Sequence, residues 1–290
     1  MNSLVTYLNP AFTETFGWTL AELRGKRILY VPADLEAETR EHIKKLLEEK
    51  VIHRYETRRL TKDGRILDVV WRASVFSDAN GEPAGVLVIL RDITRVKRIA
   101  RNNEAMLRIS MALPEYPDLE ELLNYISNEV KRLLGAEGSV VVLLDEERQE
   151  LFFPGSAFDD SDTQKRVREI RFQMDELVAG QVIQSGEPII ISDTSKDSLH
   201  AERDRKLGYK IKNLLSVPLR SRDRIIGVLT AINKKQGSFE QTDVELLNMI
   251  AATVSLSIEN ARFSDELKKA YRELTSLNRA KDKVFHHLSH

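Results

Sequence analysis

Leu214-Leu215-Ser216-Val217-Pro218-Leu219-Arg220-Ser221-Arg222-Asp223-Arg224-Ile225-Ile226-Gly227-Val228-Leu229-Thr230-Ala231-Ile232-Asn233 decides how the chain folds. Two apolar runs flank a short polar Arg222-Asp223 turn, the pattern of two antiparallel strands joined in a hairpin. Further strands are expected upstream at Ser139 to Leu144, Glu150 to Phe153 and Pro188 to Ser192, which together suggest an antiparallel sheet. Helices bracket it. Asp118 caps an amphipathic helix whose Leu119, Leu122, Leu123, Ile126, Val130, Leu133 and Leu134 share one face, and Gly135 stops it. Beyond the hairpin, a helix from Gln241 to Ile258 turns Val244, Leu247, Ile250, Ala251 and Val254 inward.

The residues before Ile93 alternate helical and strand signals. Leu4-Val5-Thr6-Tyr7-Leu8 reads as a strand, and Thr19 with Glu22 has the spacing of a capping box that starts a short helix. Leu35 to Glu49 is a second helix. Two strands then meet at Lys62-Asp63-Gly64-Arg65, where Asp-Gly is expected to supply the positive φ angles of a tight hairpin. A third strand, Gly85 to Arg91, follows a turn at Asn80-Gly81. A linker helix capped by Asp92 is expected over Ile93 to Leu113, its spaced apolar residues Ile93, Val96, Ala100 and Leu107, ending at Pro114 and Pro117.

A length of 290 residues accommodates two domains of ordinary size. With 42% hydrophobic and 31% charged residues the chain has enough apolar surface to fold. Its 44 basic and 45 acidic residues leave a net charge of -1, so no global field draws it to nucleic acid or to an anionic membrane. The longest apolar run, Met249 to Ile258, is too short to span a bilayer, so no membrane segment is expected. Zero cysteines exclude disulfides, thiolate zinc sites and cofactors attached through sulfur. With no signal peptide at its start the chain reads as cytoplasmic, any membrane anchor of a parent protein lying outside these residues.

From Leu256 a heptad spacing runs without a break through Leu256, Asn260, Phe263, Leu267, Ala270, Leu274, Leu277, Lys281, Val284 and Leu288. Steps of four and three alternate, the seam of a left-handed coiled coil. Eight of these ten positions are apolar, and burial at ~1.5 to 3 kcal/mol per large side chain outweighs the fraying of a lone helix. A parallel homodimer is expected, with Leu256, Asn260, Phe263, Leu267, Leu274, Leu277 and Leu288 in its seam. Asn260, at an a position, either faces its twin and fixes register or closes the preceding helix facing solvent. Lys281 at a later a position loosens the seam. His290 falls at a c position and projects sideways from it.

Several of these segments resemble known families. Tyr7-Leu8-Asn9-Pro10-Ala11-Phe12, Phe16-Gly17-Trp18, Glu22-Leu23-Arg24-Gly25, Thr61-Lys62-Asp63-Gly64 and Arg91-Asp92-Ile93-Thr94 resemble a PAS domain in order and spacing, and its first edge strand is expected either to be truncated or to start abnormally. The Leu214 to Leu219 and Ile226 to Leu229 runs with Phe239-x-x-x-Asp243 resemble a GAF domain. Lys281-Asp282-Lys283-Val284-Phe285-His286-His287-Leu288-Ser289-His290 resembles the opening of the phosphoacceptor box of sensor histidine kinases. The resemblance implies an α+β chain: a PAS domain over 1–93, a linker helix over 94–117, a GAF domain over 118–258, and a coiled-coil helix over 259–290 that leads into the phosphoacceptor segment.

What this implies for function is the sensory and dimerisation half of a two-component kinase, relaying a ligand or redox state to His290. Imidazole, with a pKa near ~6.5, offers a neutral ring nitrogen to the γ-phosphoryl group of ATP. ATP and magnesium, the ATP-binding domain and a response regulator are the partners implied for the parent protein. These residues carry no ATP-binding boxes, and no cofactor is identifiable in them. The alternative is a PAS-GAF regulatory input for a transcription activator or a cyclic-nucleotide-synthesising protein.

Asn233, Lys234, Phe239 and Asp243 resemble the motif of cyclic-nucleotide-binding GAF domains, except that Val244 stands where the motif ends in Glu, and the Lys-Asp pair is expected to act mainly as a structural clamp. The absence of cysteine argues against a bilin chromophore and against a flavin photoadduct. His42 lies off the position of a haem ligand and is expected to be a solvated helix histidine, while Trp18 and Trp71 are expected to pack the first core. The small-molecule ligand of either domain is left unidentified.

Overall fold

The Asn9 side chain accepts a hydrogen bond from the Phe12 amide at 2.9 Å, and Pro10 fills the first turn, so helix α1 (Pro10–Phe16) starts where its free amides are satisfied. Gly17, at φ +85°, ends it in the left-handed region. The capping box of Thr19 and Glu22 opens the short helix α2 (Leu20–Leu23). Helix α3 (Glu36–Glu49) and strands β1 (His53–Leu60), β2 (Ile66–Ser77) and β3 (Pro83–Asp92) complete the first unit. This computed structural model describes residues 4–49, 53–196 and 198–288. The chain divides into two compact units, Met1–Asn103 and Glu104–His290.

In the first unit the strands pair antiparallel in the order β1-β2-β3. Alternation along β2 buries Val69, Trp71 and Ala73, with Trp71 only 2% exposed. Two small apolar groups result. Phe16, Leu67 and Val69 form one, with Trp18 packed against it, and Leu46, Trp71 and Ala73 form the other. Leu87, Val88 and Ile89 of β3 are exposed.

Two expectations fail here. Leu4 to Leu8 is not a strand, since Val5 makes only one isolated parallel bridge, to Arg24. The hairpin is also wider than Asp-Gly suggested. Leu60 pairs with Ile66 across a loop in which only Gly64 has a positive φ, +84°. The Thr61 hydroxyl accepts the Arg65 amide at 2.9 Å and donates to the Asp63 carboxylate, and this local network replaces a two-residue turn.

Helix α4 (Thr94–Ala112) begins where Asp92 accepts the Thr94 amide at 2.9 Å. Its buried residues are Ala105, Ile109 and Ala112, whereas Val96 and Leu107 are exposed. The expected apolar spacing therefore picked the wrong face. Apolar residues occupy two faces of this helix, and only its C-terminal part, Ile109 above all, joins the core of the second unit.

That unit opens with α5 (Leu119–Leu134), capped by Asp118 and stopped by Gly135 at φ +59°. It continues through β4 (Ala136–Asp145), β5 (Glu150–Phe158), α6 (Ser161–Glu169), β6 (Phe172–Gln173), α7 (Val178–Ser185), β7 (Ile189–Ile191), α8 (Ser198–Leu207), β8 (Leu214–Ser221), β9 (Arg224–Lys234) and α9 (Gln241–Leu288). The sheet runs β6-β5-β4-β9-β8-β7, and every neighbouring pair is antiparallel. One face carries α5 and the start of α9, burying Leu123, Ile126, Leu215, Leu247, Ile250 and Val254. The other face is covered by the 160–211 segment, with Val142, Leu151, Phe172, Val182 and Val228 at its centre.

The centre of the sheet is tight. A Cβ at Gly227 of β9 would stand 2.1 Å from the Val142 carbonyl oxygen of β4. Gly227→Ala is expected to destabilise the second domain by about 2 kcal/mol or more, since backbone must shift to admit the methyl group; urea denaturation of the whole chain checks it.

Asp159 ties the ends of this layer together, with Lys131 of α5 at 2.9 Å and Lys235 at 2.8 Å. Hydrogen bonding from Lys235 first, then from Lys131, holds its carboxyl below the usual range. A carboxyl lowered in the folded state stabilises above its unfolded pKa, near ~3.9, and that contribution fades as pH falls through the folded value. Asp159→Asn should thus lower the urea midpoint at neutral pH, the difference from the parent closing in strong acid.

Candidate functional site

Asn233, next to last in β9, has φ +56°, a left-handed conformation that asparagine tolerates better than most residues. From there its buried side chain turns away from the following motif residues. Its Oδ1 accepts the Lys212 amide at 2.7 Å, and its Nδ2 donates to Glu137 Oε2 at 2.9 Å and to the Lys210 carbonyl at 3.0 Å. Tyr209 donates to the same Glu137 oxygen at 2.8 Å, and burial first, then that hydrogen bond, raises the phenol's pKa. Asn233 is therefore the anchor that holds the 209–213 segment beside the sheet.

Lys234, Phe239 and Asp243 meet on the other side. Lys234 Nζ lies 2.5 Å from Asp243 Oδ2 and 5.5 Å from the centre of the Phe239 ring. Asp243, in the first turn of α9, also accepts the Glu240 amide at 2.8 Å, so one carboxylate caps the helix and fixes it to the end of β9. The structure thus joins three of the four motif residues into a strand-to-helix pin and assigns the fourth to a loop. Asp243 and Lys234 satisfy each other's charge.

The opposite face of the sheet has a different character. Ser156, Val140, Thr230 and Ser216 lie in one lateral row across β5, β4, β9 and β8, with Ser156 opposite Val140, Val140 opposite Thr230, and Thr230 opposite Ser216. Ser216 and Thr230 share a hydrogen bond of 2.8 Å, and the Ser156 Oγ is buried without a partner. Around this row the layer is apolar. Sequence reasoning missed this layer because α6, α7 and α8 carry few core residues each. The Asp160 side chain that accepts the Asp162 and Thr163 amides was the signal that could have found α6.

Helix α9 is unbroken from Gln241 to Leu288. Its first five turns are held by the sheet, and Ile258 is the last buried residue. Beyond it, Phe263, Leu267, Leu274 and Leu277 are 57–67% exposed, as is Leu256 just before. Asn260 is exposed as well. His290 lies outside the described residues, and so do the side chains of Val284 and Leu288. In the first unit, His42 is not a solvated histidine. Its ring stacks on Tyr55 at 3.7 Å and its Nδ1 is buried, because α3 lays it against β1. Among the described residues no cluster of metal-ligating side chains occurs, and no helix is long and apolar enough to cross a membrane.

These features define the class: an α+β protein with two antiparallel sheets, the second of which feeds one long exposed helix. The family models give the particulars, since residues 2–98 match the PAS fold and residues 118–258 match the GAF domain, and the chain contains both. A methyl sulfide methyltransferase-associated sensor of Methanosarcina acetivorans is 24% identical over 261 residues, covering 88% of this chain and 26% of that protein. A probable 3',5'-cyclic phosphodiesterase of Caenorhabditis elegans is 25% identical over 159 residues, 52% of this chain and 22% of that protein. The chain spans about a quarter of the length of these curated relatives. The GAF domain of a phosphoenolpyruvate-protein phosphotransferase from Coxiella burnetii shares the fold, with a TM-score of 0.52 and 18% identity over 58% of this chain and 98% of that one.

Because Asn233 bonds the Lys212 amide, the Lys210 carbonyl and Glu137, Asn233→Ala is expected to cost about 2 to 3 kcal/mol. Lys234→Met should cost less, since both members of its ion pair keep some access to water and the apolar stem still packs on Phe239. Chemical denaturation of the two variants gives the order.

Proposed function

We propose that this PAS-GAF module is the sensory and dimerisation portion of a two-component sensor histidine kinase, with His290 as the phosphoacceptor. The observation that carries the reading is the stripe on α9. Large apolar side chains repeat there at heptad spacing on a helix continuous with the GAF core, exposed in a single chain. A second copy of the same helix, parallel and in register, would bury them. The residues after Lys281 then resemble the phosphoacceptor box, and a c-position histidine would stand beside the seam, open to an ATP-binding domain. The methyltransferase-associated sensor, similar over most of this chain, agrees with a signal-sensing role. The response regulator, ATP and magnesium belong to the rest of such a system.

The similarity to a phosphodiesterase favours a second reading, a GAF domain that takes a cyclic nucleotide. Against it stand Val244 in place of the motif's last Glu and the mutual pairing of Lys234 with Asp243.

The absence of native cysteine makes the pairing directly testable. Leu274→Cys, in the seam, is expected to give a reducible dimer on mild oxidation, while Arg272→Cys, on the outer face, should give little. A monomer by sedimentation at tens of micromolar together with equal cross-linking of both variants would refute the paired helix. In the complete protein, His290→Gln should abolish acid-labile phosphorylation by ATP, whereas His286→Gln and His287→Gln should retain it.

A further inference from the structure

Arg59 is the most deeply buried charge of the first domain, at 0% exposure. Guanidinium does not lose its proton in proteins, so a full positive charge stands inside this core. Its partners are all neutral. Nη1 donates to the Thr57 hydroxyl at 3.1 Å and to the Arg58 carbonyl at 2.8 Å, and Nη2 donates to the Tyr55 hydroxyl at 3.1 Å. The Tyr30 ring lies 5.2 Å from the guanidinium carbon. Nε, also buried, has no hydrogen-bond partner, and no carboxylate of the described residues pairs with Arg59. The two acidic residues nearest in sequence pair elsewhere, Glu56 with Lys97 at 2.8 Å and Asp63 with Arg65 at 2.9 Å, and Asp34 pairs with Arg58 at 2.5 Å.

Arg59 Nε is not isolated in this respect. Among the described residues of the first domain, three buried side-chain polar atoms lack a partner, Thr39 Oγ1, His42 Nδ1 and Arg59 Nε, and all three lie around Tyr55. Tyr55 accepts from Arg59 and carries the His42 ring stacked on it, and the Thr39 hydroxyl lies beside its phenol without making a hydrogen bond of good geometry. Trp71 closes the group, 5.1 Å from the Tyr55 ring. Tyr55 and His42 are only half-buried, so the cluster reaches the surface through them. A buried cation without a counter-charge is costly, and it is tolerated where an anion completes it. The free Nε–H lies on an edge of a fork that matches a carboxylate, and the surrounding rings suit a flat or apolar body.

We infer that the interior of the PAS domain binds a small organic carboxylate, held by Arg59 and flanked by Thr39, His42 and Tyr55. This holds whether or not the coil ends in a phosphoacceptor, because binding is read on the present chain alone.

The probes are sodium acetate, succinate and benzoate, with sodium chloride at matched ionic strength, added to the full chain while melting temperature and tryptophan fluorescence are recorded. At least one carboxylate is expected to raise the melting temperature saturably and to change the Trp71 emission, and chloride to do neither. Arg59→Met should lose that response while melting no lower than the parent in carboxylate-free buffer, and Arg58→Met should keep it. As a second measurement, the Arg59 Nε–H resonance, identified by its loss in Arg59→Lys, should shift saturably with the bound probe. A response that persists in Arg59→Met overturns the inference, as does a resonance unmoved by all three carboxylates. A lowered melting temperature for Arg59→Met without any carboxylate response makes Arg59 a structural cation only.

Discussion

One packing interaction organises the second domain, the burial of the first turns of α9 on the sheet. Val244, Leu247, Ile250, Ala251, Val254 and Ile258 leave water on one side of a helix that then continues without interruption to Leu288. At ~1.5 to 3 kcal/mol for each large side chain, this contact outweighs the entropy of ordering those turns and nucleates the rest. The pin formed by Lys234, Phe239 and Asp243 sets where that helix starts, and the sheet sets its direction. An α-helix with unbroken hydrogen bonds cannot absorb a displacement at its base by bending at one residue, so a shift of the sheet is carried along α9 as rotation or translation.

Much of this was legible in the sequence because it depends on local periodicity. The Leu214 to Asn233 hairpin, the caps at Thr19 and Asp118, the stop at Gly135 and the buried face of α9 all follow from spacing and from residues with strong backbone preferences. What was not legible depended on tertiary choice. Helix α4 offers two apolar faces, and only the presence of the second core selects Ala105 and Ile109 over Val96 and Leu107. Helices α6, α7 and α8 in the 160–211 segment bury only two to four residues each, too few for a period to stand out. Asn233 and Asp243 looked like one motif because, with Lys234 and Phe239, they resemble that of cyclic-nucleotide-binding GAF domains. Their side chains serve different neighbours, since the left-handed turn at Asn233 sends successive side chains apart.

The polar interior of the PAS domain was hidden for the same reason. In sequence, Tyr55, Thr57 and Arg59 alternate with Glu56, Arg58 and Leu60, and nothing marks the first set as the inward one. Pairing with β2 decides it, because Tyr55 faces Trp71, Thr57 faces Val69 and Arg59 faces Leu67, all on the buried side. The two apolar groups of this domain therefore remain small and separate, and hydroxyls, an imidazole and a guanidinium occupy the space that a continuous core would fill. Such a core gives up hydrophobic stabilisation, and under the proposed binding of an anion its stability would depend on what it holds.

That dependence bounds what a sensor of this design can transmit. A ligand shifts a two-state equilibrium only by the difference in its affinity for the two states, and each tenfold difference contributes ~1.4 kcal/mol. Completing an uncompensated buried charge is an efficient source of such a difference, because the penalty is removed only in the state that keeps Arg59 enclosed. The receiving element must be comparably soft. In the proposed coil, a seam with Asn260 and Lys281 at a positions would be weaker than one of uninterrupted leucine and isoleucine, since a polar residue there lowers stability while holding register. A coil made entirely of large apolar residues would sit several kcal/mol below any alternative register, beyond the reach of a single ligand. In the proposed paired helix, the two polar positions would narrow the gap between registers, the range in which a proposed bound anion would act.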